Sequence, residues 1–172
     1  NYTTINENQL NVSFDIDIDN VDIQIIKVNG SLFFGTASFL EDKLDKLKNS
    51  KKIIIEYKGW KICPLICYDL RFPVWSRNIK NDIYDILIYV ANWPEVRSYP
   101  WKQLLIARAI ENQTYVIGVN RIGLDANNIA HSGDSCVINP RGEVISKTKA
   151  HEDISETVNL SYNYLEEFRK VF

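Results

Sequence analysis

WKICPLICYDLRFPVW, residues Trp60–Trp75, carries the strongest local signal in the chain. The apolar run from Ile62 to Ile66 predicts a short buried strand, and it ends in Cys67, followed by Asp69 and then Phe72-Pro73, residue types that turn the chain. A thiol at the carboxyl end of a strand in an α/β sheet stands where such folds place ligands, with backbone N–H groups of the next turn free to face a carbonyl. By residue type alone a cysteine in such a run is more often a small core hydrophobe. The residues around it shift the balance.

Working outward, five blocks follow one another: IIIEYKGWKICPLICYDLRFPVWSRN (Ile53–Asn78), YDILIYVANWP (Tyr84–Pro94), LLIARAIENQTYVIGVNRIG (Leu104–Gly123), HSGDSCVINPRGEVI (His131–Ile145) and LEEFRKVF (Leu165–Phe172). In this order they resemble the carbon–nitrogen hydrolase (nitrilase) superfamily, and within it the omega-amidase-like branch, over residues 52–172. Several ordered blocks are far more specific than one short motif. The resemblance implies an α/β fold, a four-layer αββα sandwich usually assembled into homo-oligomers, of which these residues supply part, incomplete at both ends. It implies an amidase that acts on a small linear carboxamide, an omega-amide of a dicarboxylic acid, through a cysteine thioester with release of ammonia, and without metal or organic cofactor.

Carried over residue by residue, the resemblance makes Cys67 the nucleophile. It makes the Tyr68 backbone N–H an oxyanion donor, and Asn92-Trp93-Pro94 a substrate-pocket loop in which Asn92 and Trp93 contact substrate and Trp93 forms an apolar wall. A packed loop tryptophan is compatible with that role. Asp69 and Arg71 read as residues that hold the turn. The family's glutamate base and lysine, which deprotonate the thiol and stabilise the oxyanion, have no matching motif here, although Glu41, Glu56, Lys43, Lys46, Lys58 and Lys61 are present. The alternative reading is therefore a catalytically incomplete or fused α/β module with an association or regulatory role.

Residues 1–51 read as a separate β-β-turn-α segment. Val12, Phe14, Ile16 and Ile18 alternate with Ser13, Asp15, Asp17 and Asp19, as in a half-buried strand with a solvated acidic face. Val21–Val28 is a second strand, Ser31–Gly35 a short strand or turn, and Thr36 or Ser38 caps a helix from Phe39 to Leu47. The stretch IQIIKVNGSLFFGTASFLEDKLDKL resembles the start of a STAS domain, which would make the chain a composite joined near Lys51–Glu56. Ile53–Tyr57 is expected to pair with these N-terminal strands and cover an exposed edge.

Further along, Ile86–Ala91 and Thr114–Asn120 read as strands, Trp101–Asn112 as a helix behind Pro100, and Cys136–Ile145 as a hairpin turning at Asn139–Gly142. Ser155–Leu160 reads as a final strand and Tyr164–Phe172 as a helix. Arg108 and Glu111 are expected to tie their helix to the core or to another subunit. His131 is placed at the surface or behind the site, because the thiol's partner in this family is a carboxylate. Cys136 reads as core.

Composition bounds the partners. The 172 residues are 45% hydrophobic, enough for a sizeable core, and the formal net charge of -2 argues against a phosphate-neutralising nucleic-acid binder. No apolar run is long enough to span a bilayer. Three cysteines, Cys63, Cys67 and Cys136, with two histidines form no zinc spacing, and the expectation is no metal and a reducing, cytoplasmic setting.

Overall fold

The computed structural model describes residues 2–6, 13–17, 23–29, 52–78 and 83–171. The chain forms two compact units, Asn1–Cys63 and Pro64–Phe172. Both follow from strands whose apolar residues need a layer to cover them.

In the first unit β1 (Tyr2–Asn6), β2 (Ser13–Asp17) and β3 (Ile23–Asn29) form an antiparallel meander, with Tyr2 opposite Asp17 and Ser13 opposite Asn29. β4 (Lys52–Tyr57) runs parallel to β3 in the register Ile23 to Lys52 through Val28 to Tyr57, so the expected pairing of Ile53–Tyr57 with the N-terminal strands is formed. β5 (Trp60–Ile66) returns antiparallel to β4. The two residues between them, Lys58 (φ 49) and Gly59 (φ 83), both take left-handed backbone angles, as a tight primed hairpin turn requires. The register also sets Glu56 opposite Lys61, an opposite-charge cross-strand pair. The strand or turn over Ser31–Gly35 and the helix over Phe39–Leu47 lie outside the described residues.

β5 carries the chain from the first unit into the second. Its burial differs from the expectation: Cys63 is fully buried, while Pro64 is exposed and Ile66 is 72% exposed. An apolar run marks the strand but leaves open how many of its faces are covered. A 3₁₀ turn, Cys67–Arg71, follows at once, and then a single helical turn α1 (Pro73–Ser76), with proline at the first helical position where no N–H is required.

The sheet of the second unit has β7 (Tyr115–Asn120) between two partners. β6 (Ile86–Ala91) is parallel to it, with Ile86 opposite Tyr115, and β10 (Cys136–Ile138) is antiparallel, with Cys136 opposite Gly118. β8 (Ile122–Leu124) and β9 (Ala130–Ser132) make a small separate ribbon. α2 (Ser98–Asn112) packs one face, Trp101, Leu105, Arg108, Ala109 and Asn112, into the core. Gly118 allows that approach: a Cβ there would lie 2.5 Å from Leu105 Cδ1 and 2.9 Å from the Trp101 ring. α2 starts three residues before the expected Trp101, because Pro100 falls within the first turn, where proline is tolerated. It ends at Gln113 (φ 51), whose N–H returns to Ala109 and Ile110 carbonyls as a left-handed cap.

The expected hairpin after Cys136 forms, with Asn139 N donating to Glu143 O at 2.9 Å and a bridge between Ile138 and Val144. Ser155–Leu160 is no strand. The segment is irregular and mostly exposed, and the Glu156 carboxylate accepts the Lys147 N–H at 2.9 Å. α3 (Tyr162–Val171) closes the unit by burying Leu165. Arg169 fastens it, donating to Gln113 O at 3.0 Å, to Tyr84 O at 2.7 Å and to Asp85 Oδ1 at 2.8 Å.

Candidate active site

Cys67 is the first residue of the 3₁₀ turn and is half-buried, with φ of 41°. A non-glycine residue in the left-handed region is uncommon and strained, and such residues persist where the surroundings hold them. Two contacts do the holding. Asp69 Oδ2 accepts the Ile66 N–H at 2.9 Å, closing the turn from its front, as expected for Asp69. From the back, Arg108 Nη2 donates to the Leu70 carbonyl at 2.6 Å, which satisfies an acceptor at the end of the turn that has lost its helical partner.

Tyr68 exposes 59% of its surface and packs edge-on against Phe72 at 5.5 Å between centroids. Arg71 joins this turn to the pocket loop: its guanidinium lies 5.8 Å from the Tyr68 ring centroid and 5.0 Å from that of Trp93. Thus Tyr68 and Trp93, predicted separately from sequence, are brought together by one side chain. Asn92 is exposed at the end of β6.

Trp93 is more enclosed than a pocket wall need be, at 3% exposed. Its Nε1–H donates to Arg97 O at 2.7 Å and its ring tilts against Trp101 at 5.5 Å between centroids. The loop is clamped by Asn120, whose Oδ1 accepts the Trp93 N–H at 2.8 Å while its Nδ2 donates to Trp93 O at 3.0 Å and Gly133 O at 2.9 Å. Sequence reasoning saw Asn120 only as a residue that closes a strand. An amide side chain that matches a peptide's donor and acceptor at once has no sequence signature beyond its position.

Gly133 belongs to a second knot. Asp134 (φ 53) accepts from Lys102 Nζ at 2.7 Å, Ser98 Oγ at 2.8 Å and Ser132 Oγ at 2.5 Å, and its carbonyl accepts Trp101 Nε1–H at 2.9 Å. Burial pushes the Asp134 carboxyl up, but the hydrogen bonds from Lys102, Ser132 and Ser98 outweigh it and hold the group below the usual carboxylate range. His131, expected at the surface or behind the site, is only 1% exposed, which removes the surface reading; its Nδ1 faces Ile129 O at 2.9 Å.

The chain has two further thiols. Cys63 is fully buried, and burial pushes the Cys136 thiol up to about 11, so it stays protonated and inert near neutral pH. A cleft of about 380 Å³ lies over β7 and β10 and includes Cys136, Asn120 and Asp134 but not Cys67. Among the described residues no group of three or more His, Cys, Asp or Glu is arranged to hold a metal ion, and no helix is long and apolar enough to cross a membrane.

The chain belongs to the carbon-nitrogen hydrolase family, whose pattern matches residues 29–170. The match begins before residue 51, so it spans both sides of the junction read from sequence. Omega-amidase YafV of Escherichia coli K12 is 52% identical over 132 residues, 77% of this chain and 51% of that protein, and 2-oxoglutaramate amidase of Bacillus subtilis is 42% identical over 99 residues, 58% of this chain and 38% of that protein. The crystal structure of XC1258 from Xanthomonas campestris, a CN-hydrolase superfamily protein with an arsenic adduct in the active site, superposes with a TM-score of 0.70 and 32% identity, covering 99% of this chain and 65% of that one. The fold is thus nitrilase-like α/β, and the chain spans about half the length of the curated relatives it matches.

Proposed function

We propose that these residues carry the nucleophile of an amidase that hydrolyses a small omega-amide of a dicarboxylic acid, the substrate class named for its omega-amidase and 2-oxoglutaramate amidase relatives. The observation that carries the proposal is Cys67 at the carboxyl end of β5, half-buried, with φ of 41° and a turn pinned on both sides.

In this reading the Cys67 thiolate attacks the amide carbon, and the electron pair of the C=O moves to oxygen, where the Tyr68 backbone N–H receives it. The electron pair on oxygen then re-forms the C=O, and the C–N bond breaks as the nitrogen takes the proton that the thiol gave up and leaves as ammonia. Water adds to the thioester, the C–S bond breaks, and the free acid and the thiol are restored. Asn92 and Trp93 line the substrate side. Arg71, a cation laid against Trp93, suits a substrate whose far end is a carboxylate. The glutamate base and the lysine of the family have no matching motif in this sequence. Three free cysteines fit a reducing, cytoplasmic setting, and the reading takes the enzyme to be a homo-oligomer.

The test is ammonia release from a short omega-amide such as 2-oxoglutaramate, with mass spectrometry for an acyl adduct on Cys67. Release above background that disappears in Cys67→Ala and persists in Cys136→Ala supports the proposal. Release that survives Cys67→Ala refutes the role of Cys67. No release and no adduct from the unaltered chain favours the catalytically incomplete module.

A further inference from the structure

The cysteine turn is secured from behind by a buried charge that the proposed reaction does not itself use. Arg108 is 3% exposed, in the middle of α2, and its guanidinium reaches across the core to the 3₁₀ turn. Nη2 donates to Leu70 O at 2.6 Å and Nη1 meets Glu111 Oε1 at 3.0 Å, while Nε is buried without a hydrogen-bond partner among the described residues. Leu70 is itself fully buried, three residues after Cys67.

A guanidinium this buried is expensive to keep unless its bonds are specific. Its shortest bond is to the carbonyl at the far end of the five-residue turn that begins at the thiol. In a 3₁₀ turn each carbonyl accepts from the N–H three residues on, so its last carbonyls have no helical partner and its first N–H groups point forward, where Cys67 and Tyr68 stand. A cation on the last carbonyl therefore complements the turn's polarity and fixes its pitch, and both effects act on the N–H groups at the front.

We propose that Arg108 is a positioning residue for Cys67: by holding the Leu70 carbonyl it keeps the 3₁₀ turn wound, and so keeps the thiol and the Tyr68 N–H in line with an incoming carbonyl. The proposal rests on the reading of Cys67 as the nucleophile. Glu111 has a lesser part. It is more exposed and orients Arg108 without touching the turn.

The experiment compares Arg108→Gln, Arg108→Lys and Glu111→Gln with the unaltered chain. The readouts are the rate of Cys67 carbamidomethylation by iodoacetamide at pH 7, with Cys136 in the same sample as the internal reference for global opening, and kcat and KM for omega-amide hydrolysis. Arg108→Gln is expected to lower the Cys67 rate and kcat by about tenfold or more, the scale of a sub-ångström displacement of a reacting atom, with KM little changed and Cys136 still protected. Arg108→Lys, which keeps the cation but loses the planar fork, should recover part of the loss, and Glu111→Gln should be near the unaltered chain. If Arg108→Gln labels Cys136 many times faster than the unaltered chain does, it has unfolded, and Arg108→Lys decides: an unchanged Cys67 rate and kcat there would overturn the proposal. So would an unchanged Cys67 rate in a folded Arg108→Gln, or a loss in Glu111→Gln equal to that in Arg108→Gln. If the unaltered chain neither releases ammonia nor labels faster at Cys67 than a free cysteine, it is the reading of Cys67 that fails, and the two failures are told apart.

Discussion

Replacing Asn120 by alanine removes three hydrogen bonds at once: the acceptor for Trp93 N–H and the donors to Trp93 O and Gly133 O. All three backbone groups belong to buried residues, so water does not replace the lost partner freely. At about 1 kcal/mol net for each bond, the loss is about 3 kcal/mol. For a chain of this size that corresponds to a fall in the melting temperature of about 6–12 °C. Thermal melting followed by far-UV circular dichroism measures it, and tryptophan fluorescence reports release of the Trp93 loop. Asn120→Asp sharpens the reasoning. It keeps the acceptor for Trp93 N–H but turns two donors into lone pairs facing carbonyls, so the introduced carboxyl holds its proton more tightly in the folded state than in the unfolded. Stability of that variant then falls as pH rises through the unfolded carboxylate range, and it is less stable than Asn120→Ala at pH 7. A melting temperature within about 2 °C of the unaltered chain for Asn120→Ala, or an Asn120→Asp variant indifferent to pH between about 4 and 7, would refute the clamp.

Asp134→Asn should lower stability by about 1.5–3 kcal/mol at pH 7, since its bonds from Lys102, Ser98 and Ser132 end on a charge; urea melts measure it. Because the folded carboxyl is held below its ordinary value, that stabilisation is present above the ordinary carboxylate range and is lost as pH falls through the folded value, so the variant's acid limb should be flatter. Gly118→Ala should cost about 1–3 kcal/mol by forcing Leu105 and Trp101 back from β7, visible as a lower urea midpoint with an unchanged slope. Arg169→Met should cost about 3 kcal/mol by removing its bonds to Gln113 O, Asp85 Oδ1 and Tyr84 O, and hydrogen exchange should show α3 opening first.

What the sequence revealed was what local pattern encodes. Ile62–Ile66 running into Cys67 and Asp69 named the strand, the turn and the thiol, and the apolar runs at Ile86–Ala91 and Tyr115–Asn120 named the two parallel strands. Partners distant in the chain were not legible. Arg108 was rightly read as a tie from its helix to the core, but nothing in LLIARAIEN says that the tie ends on the carbonyl of Leu70, 38 residues away. Asn120 was read only as a residue that closes a strand and Asp134 was given no role of its own, and their partners are groups that only the folded chain brings to them. Ser155–Leu160 failed as a strand because an extended run needs a free edge to pair with, and an edge is a property of the whole sheet.

The backbone angle at Cys67 bears on how such a protein drifts. At φ of 41° glycine sits more comfortably than any residue with a Cβ, by about 1 kcal/mol. Random substitution at this codon is thus biased: the change that abolishes the sulfur most completely is also the one the main chain accepts most readily. Cys67→Gly would therefore relax the main chain in the same step that removes the sulfur, so that variant should melt no lower than the unaltered chain.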